Sequence, residues 1–294
     1  MARSQVLNLV EYVPMRIAVG LIDSLSPETA LAWGRSLGRV SWTCLSSRRK
    51  TAIRNVLFSG ITSDVQEAKR IAKASFESFG MLTVESLIAS RVITPDNLAD
   101  HVEMFLPPET EKLLADPEAG GIFVTAHLGN WEVGGHIISF WKKLVAVARS
   151  MNNPYAQAFM IRRNPRRNMA IVVKHSSDRM SLLRPLKTGQ MLALLADQHA
   201  SSHGIMVNFF GHPAKTVASP ARLHLATRCP IVCGYGVRTG PMKFKLLASE
   251  PLYYESTDNH EADILRITID LNKRLESFIR EYPEQYLWAH RRWR

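Results

Sequence analysis

The spacing of apolar residues predicts that the first part of the chain is helical. One apolar stripe at helical spacing follows Ser26, a residue type favoured at N-caps, and predicts a helix over residues 26–45. This stripe consists of Trp33, Leu37, Val40 and Cys44. A second stripe follows a capping-box pattern at Ser63 and Gln66. It consists of Ala68, Ala72, Phe76 and Phe79. We therefore expect residues 1–90 to form an N-terminal helical layer.

After Gly120-Gly121 the pattern changes to short apolar runs separated by helical segments. The strand candidates are residues 122–126, 144–148, 191–196, 205–210, 231–237 and 244–248. The helical candidates are residues 131–142, 155–163, 179–187 and 220–227, with a last amphipathic helix over 262–281. This alternation predicts an α/β fold, with a central and mostly parallel sheet flanked by helices. We expect a single domain over residues 1–294, in which residues 1–90 are the N-terminal layer.

The apolar stretch over residues 6–22 has two open interpretations. It contains Glu11, Pro14 and Arg16, which argue against a membrane-spanning helix. It could lie in a membrane interface, as amphipathic segments do. Alternatively, it is an ordinary packing helix that breaks at Pro14. The first residues also lack the pattern of a cleaved signal peptide.

Composition narrows the classes of partner. The chain has 294 residues, a formal net charge of +11 and an isoelectric point of about 9.8, so an anionic partner is expected. Nucleic acid, an anionic membrane surface and an acidic protein or ligand all fit that description. The cysteines are Cys44, Cys229 and Cys233, and their spacing predicts neither a disulfide framework nor a zinc site. We expect no bound metal.

The candidate chemistry lies in residues 121–141, which read GIFVTAHLGNWEVGGHIISFW. The pattern predicts a buried strand, a turn at Gly129-Asn130 with Asn130 as the helix N-cap, and a helix. On one helix His127 and Glu132 would point about 140° apart, so they can meet only across this turn. A neutral imidazole could then accept a proton from a hydroxyl, while a carboxylate on its other nitrogen fixes the tautomer. The alternative is structural, because an acidic residue is favoured near any helix N-terminus.

The segment Gly34-Arg35-Ser36-Leu37-Gly38 matches the GxSxG pattern of a serine nucleophile. That motif requires a preceding strand, and this segment lies inside the helix predicted over residues 26–45. We therefore do not assign Ser36 as a nucleophile.

The segment HLGNWE, residues 127–132, resembles the H-x4-D/E motif of glycerolipid-type acyltransferases, and most closely the lipid A late acyltransferases (the lauroyl/myristoyl acyltransferase family). Further blocks of that family follow this segment in order, and the resemblance as a whole extends from about residue 48 to the end. They are RSMNNP from residue 149, LLADQ from 194, FFGHPA from 209, PEQYLW from 283 and HRRW from 290. The E-G-x-R-S-like block of phosphate-glycerol acyltransferases is missing, which favours the lipid A branch.

The resemblance implies roles for particular residues. His127 would be the general base and Glu132 its orienting carboxylate. The implied substrate-binding residues are Arg149, Arg162, Arg163, Asp197 and Gln198. Other interpretations stay open: a solvated basic face for the arginines, and a turn or cap role for Asp197. The tail could be a membrane interface, a surface that stacks on nucleic acid, or a packed segment that ends in an exposed tail.

The implied activity is an O-acyltransferase. It would move a fatty acyl chain from a thioester of acyl carrier protein or coenzyme A to a hydroxyl of a lipid A precursor or related glycolipid, without a cofactor. The expected partners are therefore the acyl donor, an anionic glycolipid and a membrane surface, and not nucleic acid. The expected location is the cytoplasmic face of the bacterial inner membrane, peripheral or interfacial. The alternatives are acylation of another lipid, such as a phosphoinositide mannoside or ornithine lipid, and a non-enzymatic basic protein that binds membranes.

Overall fold

The computed structural model describes residues 4–148, 151–163, 168–173, 180–200 and 204–293. The N-terminal layer contains four helices: α1 (Gln5–Ser24), α2 (Pro27–Cys44), α3 (Ser46–Phe58) and α4 (Val65–Val92). Ser26 caps α2 as predicted, because its Oγ accepts a hydrogen bond from the Thr29 N–H at 3.3 Å. The cap of α4 is Asp64 and not Ser63, because the Asp64 carboxylate accepts from the N–H groups of Gln66 and Glu67.

Helices α2 and α4 pack as an antiparallel pair through glycines. A Cβ atom on Gly34 would lie 2.8 Å from the carbonyl oxygen of Gly80, and one on Gly38 would lie 2.4 Å from that of Phe76. Only glycine permits this approach of the two backbones. The GxSxG match is therefore a packing feature inside α2, as its helical context predicted, and its two glycines lie one turn apart.

The predicted apolar stripe of α2 does not face the core. Trp33, Leu37 and Val40 are each more than half exposed. The glycine face occupies the contact with α4 and leaves the stripe on the flank of the helix. The predicted helix is confirmed, and the face that packs on α4 is the glycine face and not this stripe.

The helical layer is followed by a seven-stranded sheet in the order β1-β9-β8-β2-β5-β3-β4. The strands β8, β2, β5, β3 and β4 are mutually parallel, β9 runs antiparallel to β8, and β1 runs parallel to β9. Two further strands, β6 and β7, form a separate antiparallel hairpin. The strands are β1 (Val102–Phe105), β2 (Gly121–Thr125), β3 (Leu144–Ala148), β4 (Met169–Val173), β5 (Met191–Leu195), β6 (Ile205–Phe209), β7 (His212–Thr216), β8 (Ile231–Gly240) and β9 (Lys243–Ala248).

Helices flank the sheet, so the predicted α/β class is confirmed. They are α5 (Leu98–His101), α6 (Pro108–Ala115), α7 (Trp131–Ile138), α8 (Pro154–Arg163), α9 (Met180–Lys187), α10 (Ser219–Thr227) and α11 (His260–Glu281). The pattern did not predict β1, β4 or β7. Strands β1 and β4 are at the edges of the sheet, and the exposed residues of β1 and β7 interrupt the apolar runs that mark buried strands.

Helix α1 continues through Pro14, so the alternative of a helix that breaks at Pro14 is wrong. Proline removes only the hydrogen bond to the carbonyl of Val10, and the rest of the ladder holds the helix together. Among the described helices, α1 is long and apolar enough to cross a membrane by length and composition. The sequence interpretation did not predict this property, because it gave weight to the charges and the proline.

Helix α1 contacts the start of α8 through polar and aromatic groups. The Asn153 side chain, just before α8, donates to the backbone oxygen of Asn8 at 2.7 Å and to Glu11 Oε2 at 3.3 Å. The ring of Tyr12 lies 6.0 Å from that of Tyr155. Most of its apolar side chains are exposed, namely Val6, Val10, Val13, Ile17 and Leu21, whereas Val19 is buried in the core. The helix therefore packs through a narrow contact and leaves a broad apolar side uncovered.

Candidate active site

Two strands of the sheet bring His127 and Asp197 together. Thr125, the last residue of β2, pairs in register with Leu195, the last residue of β5. His127 and Asp197 each lie two residues after the end of their strand. They are therefore side by side beyond the carboxyl ends of β2 and β5, where sites in α/β sheets gather. The distance from Asp197 Oδ1 to His127 Nδ1 is 2.9 Å. The Asp197 side chain is 1% exposed and that of His127 is 17% exposed.

This contact corrects the predicted partner of the imidazole. Glu132 was expected to orient the ring, but the carboxylate on Nδ1 belongs to Asp197, which had been assigned to substrate binding. The parallel register of β2 and β5 explains the difference, since it joins residues that are 70 positions apart. Glu132 is half-buried in the first turn of α7, where the helix dipole favours a carboxylate. Its assignment as a catalytic residue stays a prediction.

The hydrogen bonds of the imidazole define its tautomer. A buried carboxylate can only accept, so Nδ1 carries the proton and Nε2 carries the lone pair. The side-chain nitrogen of Gln198 lies 3.2 Å from Nε2 and donates to it. The structure thus brings together three of the predicted site residues, namely His127, Asp197 and Gln198.

The C-terminal segment surrounds Asp197. Burial opposes ionisation of this carboxyl, but the adjacent His127 lowers its pKa below the ordinary range. Burial and the charge of Asp197 raise the pKa of Tyr286 well above its ordinary value, so the phenol stays neutral. The buried Arg292 donates to the backbone oxygen of Lys215 and to the hydroxyl of Thr216, both at 2.6 Å. Sequence reasoning did not find Tyr286 or Arg292 as parts of the site.

The C-terminal tail is therefore packed beyond Trp288, the last residue of the segment that was expected to pack. Trp288 is fully buried, and the indole N–H of Trp293 donates to the backbone oxygen of Phe209 at 3.3 Å. The interpretation of a packed segment is confirmed up to Trp288, but the exposed tail is wrong through Arg292 and Trp293. The buried side chains of Trp288 and Arg292 are not available to a headgroup or a nucleic acid base.

Backbone hydrogen bonds hold the turn after β2 from two sides. The N–H of Gly129 donates to the backbone oxygen of Gln285, and that of Leu287 donates to the backbone oxygen of His127, both at 3.0 Å. The N–H of Asn130 donates to the backbone oxygen of Gly236 at 2.7 Å. Gly129 has a φ of 59°, and a Cβ there would lie 2.0 Å from the Gly236 oxygen, so this position requires glycine. The C-terminal PEQYLW block thus holds residues 127–130 in place, and we call these four residues the catalytic turn.

Asn130 caps α7 as predicted. Its Oδ1 accepts a hydrogen bond from the N–H of Val133 at 3.0 Å. Its Nδ2 donates to Oε2 of Glu85 at 2.8 Å. Glu85 lies on α4, is 0% exposed, and forms an ion pair with Arg238 of β8. Neither member of this pair was predicted, because Glu85 is an isolated charge among the apolar residues of α4.

Aromatic rings connect His127 to the surface. The centroid of the Trp131 ring lies 4.7 Å from that of the imidazole. The ring of Phe79 lies 6.4 Å from that of Trp131, and Phe79 is exposed. An apolar path therefore leads from the flank of α4 to the imidazole.

None of the described contacts of His127 involves Arg149, Arg162 or Arg163, the arginines predicted to bind substrate. Arg162 is exposed in the last turn of α8. Arg149 and the side chain of Arg163 lie outside the described residues. Within the described ranges, no group of three His, Cys, Asp or Glu side chains could hold a metal ion.

Comparison with known proteins adds the family to this geometry. The family model described as bacterial lipid A biosynthesis acyltransferase matches residues 5–294. The lipid A biosynthesis palmitoleoyltransferase of Escherichia coli (strain K12) is 23% identical over 269 residues, which cover 89% of this chain and 83% of that protein. The lipid A biosynthesis acyltransferase of Shigella flexneri gives the same values.

Two further similarities are more distant. The phosphatidylinositol mannoside acyltransferase of Mycolicibacterium smegmatis is 21% identical over 190 residues, which cover 60% of this chain and 58% of that protein. The crystal structure of the 1-acyl-sn-glycerophosphate acyltransferase from Thermotoga maritima aligns with a TM-score of 0.36 and 14% identity, over 82% of this chain and 94% of that one.

The family match spans nearly the whole chain, including both strands that carry the His127–Asp197 pair. It rules out the alternative of a non-enzymatic membrane-binding protein. The chain belongs to the bacterial lipid A biosynthesis acyltransferase family and is an acyltransferase.

Proposed function

We propose that this enzyme transfers a fatty acyl chain from an acyl thioester to a hydroxyl of a lipid A precursor or a closely related glycolipid. The observation that carries the proposal is the imidazole of His127, with Nδ1 on the buried carboxylate of Asp197 and the lone pair of Nε2 beside Gln198. The names of the family and of its bacterial relatives support the acceptor class.

In the proposed reaction, Nε2 of His127 takes the proton of the acceptor hydroxyl as its oxygen attacks the thioester carbonyl carbon. The C–S bond then breaks, and the imidazolium returns the proton to the leaving thiolate. The products are an ester and a free thiol, so no covalent enzyme intermediate is required. Asp197 stabilises the imidazolium that forms and holds the ring in one tautomer.

The negative charge on the carbonyl oxygen requires a donor. The backbone N–H groups of Gly129 and Asn130 already donate to the backbone oxygens of Gln285 and Gly236. The side-chain amide of Gln198 is beside Nε2 and can turn from the imidazole to the oxyanion once substrate is bound. We therefore assign the oxyanion donor to Gln198.

Replacement of this amide gives a test of the assignment. Gln198→Ala is expected to lower kcat about 10²-fold, the typical effect of losing one oxyanion donor. The KM of the thioester should change little, because the donor acts mainly in the transition state. A kcat close to that of the wild type, measured in a steady-state transfer assay, would remove Gln198 from this role.

The surface near the site suits a lipid substrate. Trp33, Leu37 and Phe79 each precede a glycine at which α2 and α4 meet, so all three lie on one flank of the antiparallel pair. We call these three residues the apolar flank. The opposite flank is polar, because Arg39 Nε donates to Glu77 Oε1 at 2.9 Å. The path from Phe79 through Trp131 connects the apolar flank to the imidazole.

We therefore propose that α1 and the apolar flank contact the cytoplasmic face of the bacterial inner membrane. The exposed apolar side of α1 and the apolar flank both present large hydrophobic side chains to the surroundings. Contiguous exposed apolar surface of this kind is typical of membrane or protein contacts. Basic side chains elsewhere on the chain, with its net charge of +11, suit anionic headgroups and an acidic acyl carrier.

Leu37→Glu is expected to raise the KM for a glycolipid acceptor held in vesicles about tenfold or more, because burying a leucine contributes about 1.5–3 kcal/mol. The matched control is Ser36→Glu, which adds the same charge to the neighbouring exposed position, about 100° around the helix. The control should keep a KM close to that of the wild type. Equal effects of the two variants would contradict contact through the apolar flank.

The acceptor and donor are tested by mass spectrometry of reaction products. Purified enzyme is incubated with a lipid A precursor and, separately, with phosphatidylinositol mannoside and ornithine lipid, each with acyl carrier protein or coenzyme A thioesters. We expect the mass of one acyl chain to be added to the lipid A precursor. Transfer only to one of the other lipids would support that alternative and reject the proposed acceptor.

A further inference from the structure

We propose that the buried ion pair of Glu85 and Arg238 positions the catalytic histidine, by fixing the side-chain amide of Asn130 in one orientation. The two residues would be positioning residues, since neither touches the imidazole. The inference deepens the proposed function and rests on it.

The ion pair is enclosed on the Glu85 side and nearly so on the Arg238 side, whose side chain is 9% exposed. Glu85 is 0% exposed, and both of its oxygens accept from Arg238: Oε1 from Nε and Oε2 from Nη2 at 2.7 Å. The remaining guanidinium nitrogen donates to the hydroxyl of Ser78 at 3.1 Å. A charge in this position needs its partner, because an unpaired buried charge is strongly unfavourable. The pair therefore has one stable arrangement.

The carboxylate of Glu85 dictates which way Asn130 points. It can only accept hydrogen bonds, so it selects the nitrogen of the Asn130 amide at 2.8 Å. The amide oxygen is then directed at the N–H of Val133 and at the hydroxyl of Ser86, at 3.0 and 3.3 Å. If the amide were reversed, its oxygen would face the Glu85 carboxylate and its NH₂ group would face the N–H of Val133. Asn130 is fully buried, so water cannot relieve either conflict.

A second set of contacts connects the same arginine to the turn. The backbone N–H and C=O of Arg238 each bond the side chain of Gln285, at 2.9 Å in both cases. The backbone oxygen of Gln285 in turn accepts from the N–H of Gly129. Two residues earlier on the strand, Gly236 accepts from the N–H of Asn130. Two of the three backbone hydrogen bonds described for this turn therefore originate next to the ion pair.

The sharpest test exchanges the donor and the acceptor between positions 85 and 130. Glu85→Gln is expected to lower kcat at least tenfold, because one amide group then has to satisfy both Arg238 and Asn130. Asn130→Asp is expected to do the same, because two carboxylates would face each other. The double variant restores one donor facing one acceptor between positions 85 and 130, keeps a negative charge near Arg238, and retains an N-cap. The bond from Arg238 Nη2 to the former Oε2 is still lost, so the double variant should recover part of the lost kcat and exceed both single variants, with KM within about twofold throughout.

A second variant separates positioning from stability. Glu85→Leu with Arg238→Met removes both charges together, and such replacements of buried ion pairs are often neutral or stabilising. We expect a modest loss of thermal stability, because the buried amide donor of Asn130 is left unpaired, and a kcat at least tenfold lower, because Asn130 has lost the acceptor that orients it. A wild-type kcat in this variant, or no recovery in the exchanged double variant, would overturn the inference.

Two controls separate this inference from the proposed function. Wild-type enzyme in the same assay reports the function: no transfer by the wild type would reject the proposed reaction. The ¹⁵N signals of the His127 ring report its tautomer and order without turnover. In the Glu85→Gln variant these signals should broaden or split, and they should sharpen again in the exchanged double variant. Unchanged signals in the single variant would contradict positioning, whatever the reaction is.

Discussion

His127→Ala is expected to lower kcat for acyl transfer about 10⁴-fold, the upper range for loss of a general base. The Nε2 lone pair of the imidazole, on which Gln198 donates in the structure, can accept the proton of the acceptor hydroxyl once that amide turns away. The fold should remain intact, because the side chain lies at the rim of the site and the turn is held by backbone hydrogen bonds. Single-turnover transfer of a labelled acyl chain measures the loss, and thermal unfolding confirms the fold.

The control for this variant is His260→Ala. His260 is exposed at the start of α11, so its removal should change neither transfer nor unfolding. Residual transfer by His127→Ala above about a tenth of the wild-type rate would show that another group accepts the proton. The proposed mechanism would then be wrong even if the acceptor lipid is correctly assigned.

Asp197→Asn is expected to lower kcat about 10³- to 10⁴-fold with a small change in KM. The asparagine amide matches the carboxylate in shape, but it can donate to Nδ1 and so favour the tautomer that protonates Nε2. The proton-accepting lone pair is then lost. The contrasting variant is Glu132→Gln, which leaves the contact on Nδ1 in place. A large loss in Glu132→Gln together with a small loss in Asp197→Asn would return the orienting role to Glu132.

The same substitution has a predicted pH dependence in stability. The folded-state pKa of Asp197 is depressed, so the ionised carboxylate stabilises the fold above its unfolded pKa of about 3.9. This contribution is lost as the pH falls through the lower folded-state pKa. The difference in melting temperature between wild type and Asp197→Asn should therefore be largest above about pH 5 and shrink below about pH 4. A difference that grows towards acid pH would contradict the assigned direction.

The catalytic turn shows how far the sequence alone could lead. The buried strand, the glycine in the turn, the Asn130 cap and the helix were all readable, because each depends on residues close in sequence. The carboxylate that contacts Nδ1 of His127 could not be predicted from the sequence. Glu132 is the nearest carboxylate along the chain, but strand register decides which carboxylate is nearest in space, and no local pattern encodes the neighbour of β2.

The helical layer gives a second case of the same limit. Periodicity correctly predicted a helix around Trp33 and Leu37, since spacing along a helix is a local property. It could not predict which face packs on α4. The two glycines of α2 allow a close backbone contact there, and the apolar stripe gives no sign of it. The same holds for α1, which contacts the start of α8 through a backbone oxygen and the ring of Tyr12 and leaves most of its apolar side chains exposed.

The most direct test of the central claim is a double-mutant cycle of His127→Ala and Asp197→Ala, read as single-turnover rates of acyl transfer. If Asp197 acts through the imidazole, it has nothing left to orient once His127 is removed. The double variant should then be no slower than His127→Ala alone, as is found for catalytic residues that act as a unit. Losses that multiply in the double variant would show independent roles and contradict the His127–Asp197 pair as the catalytic base.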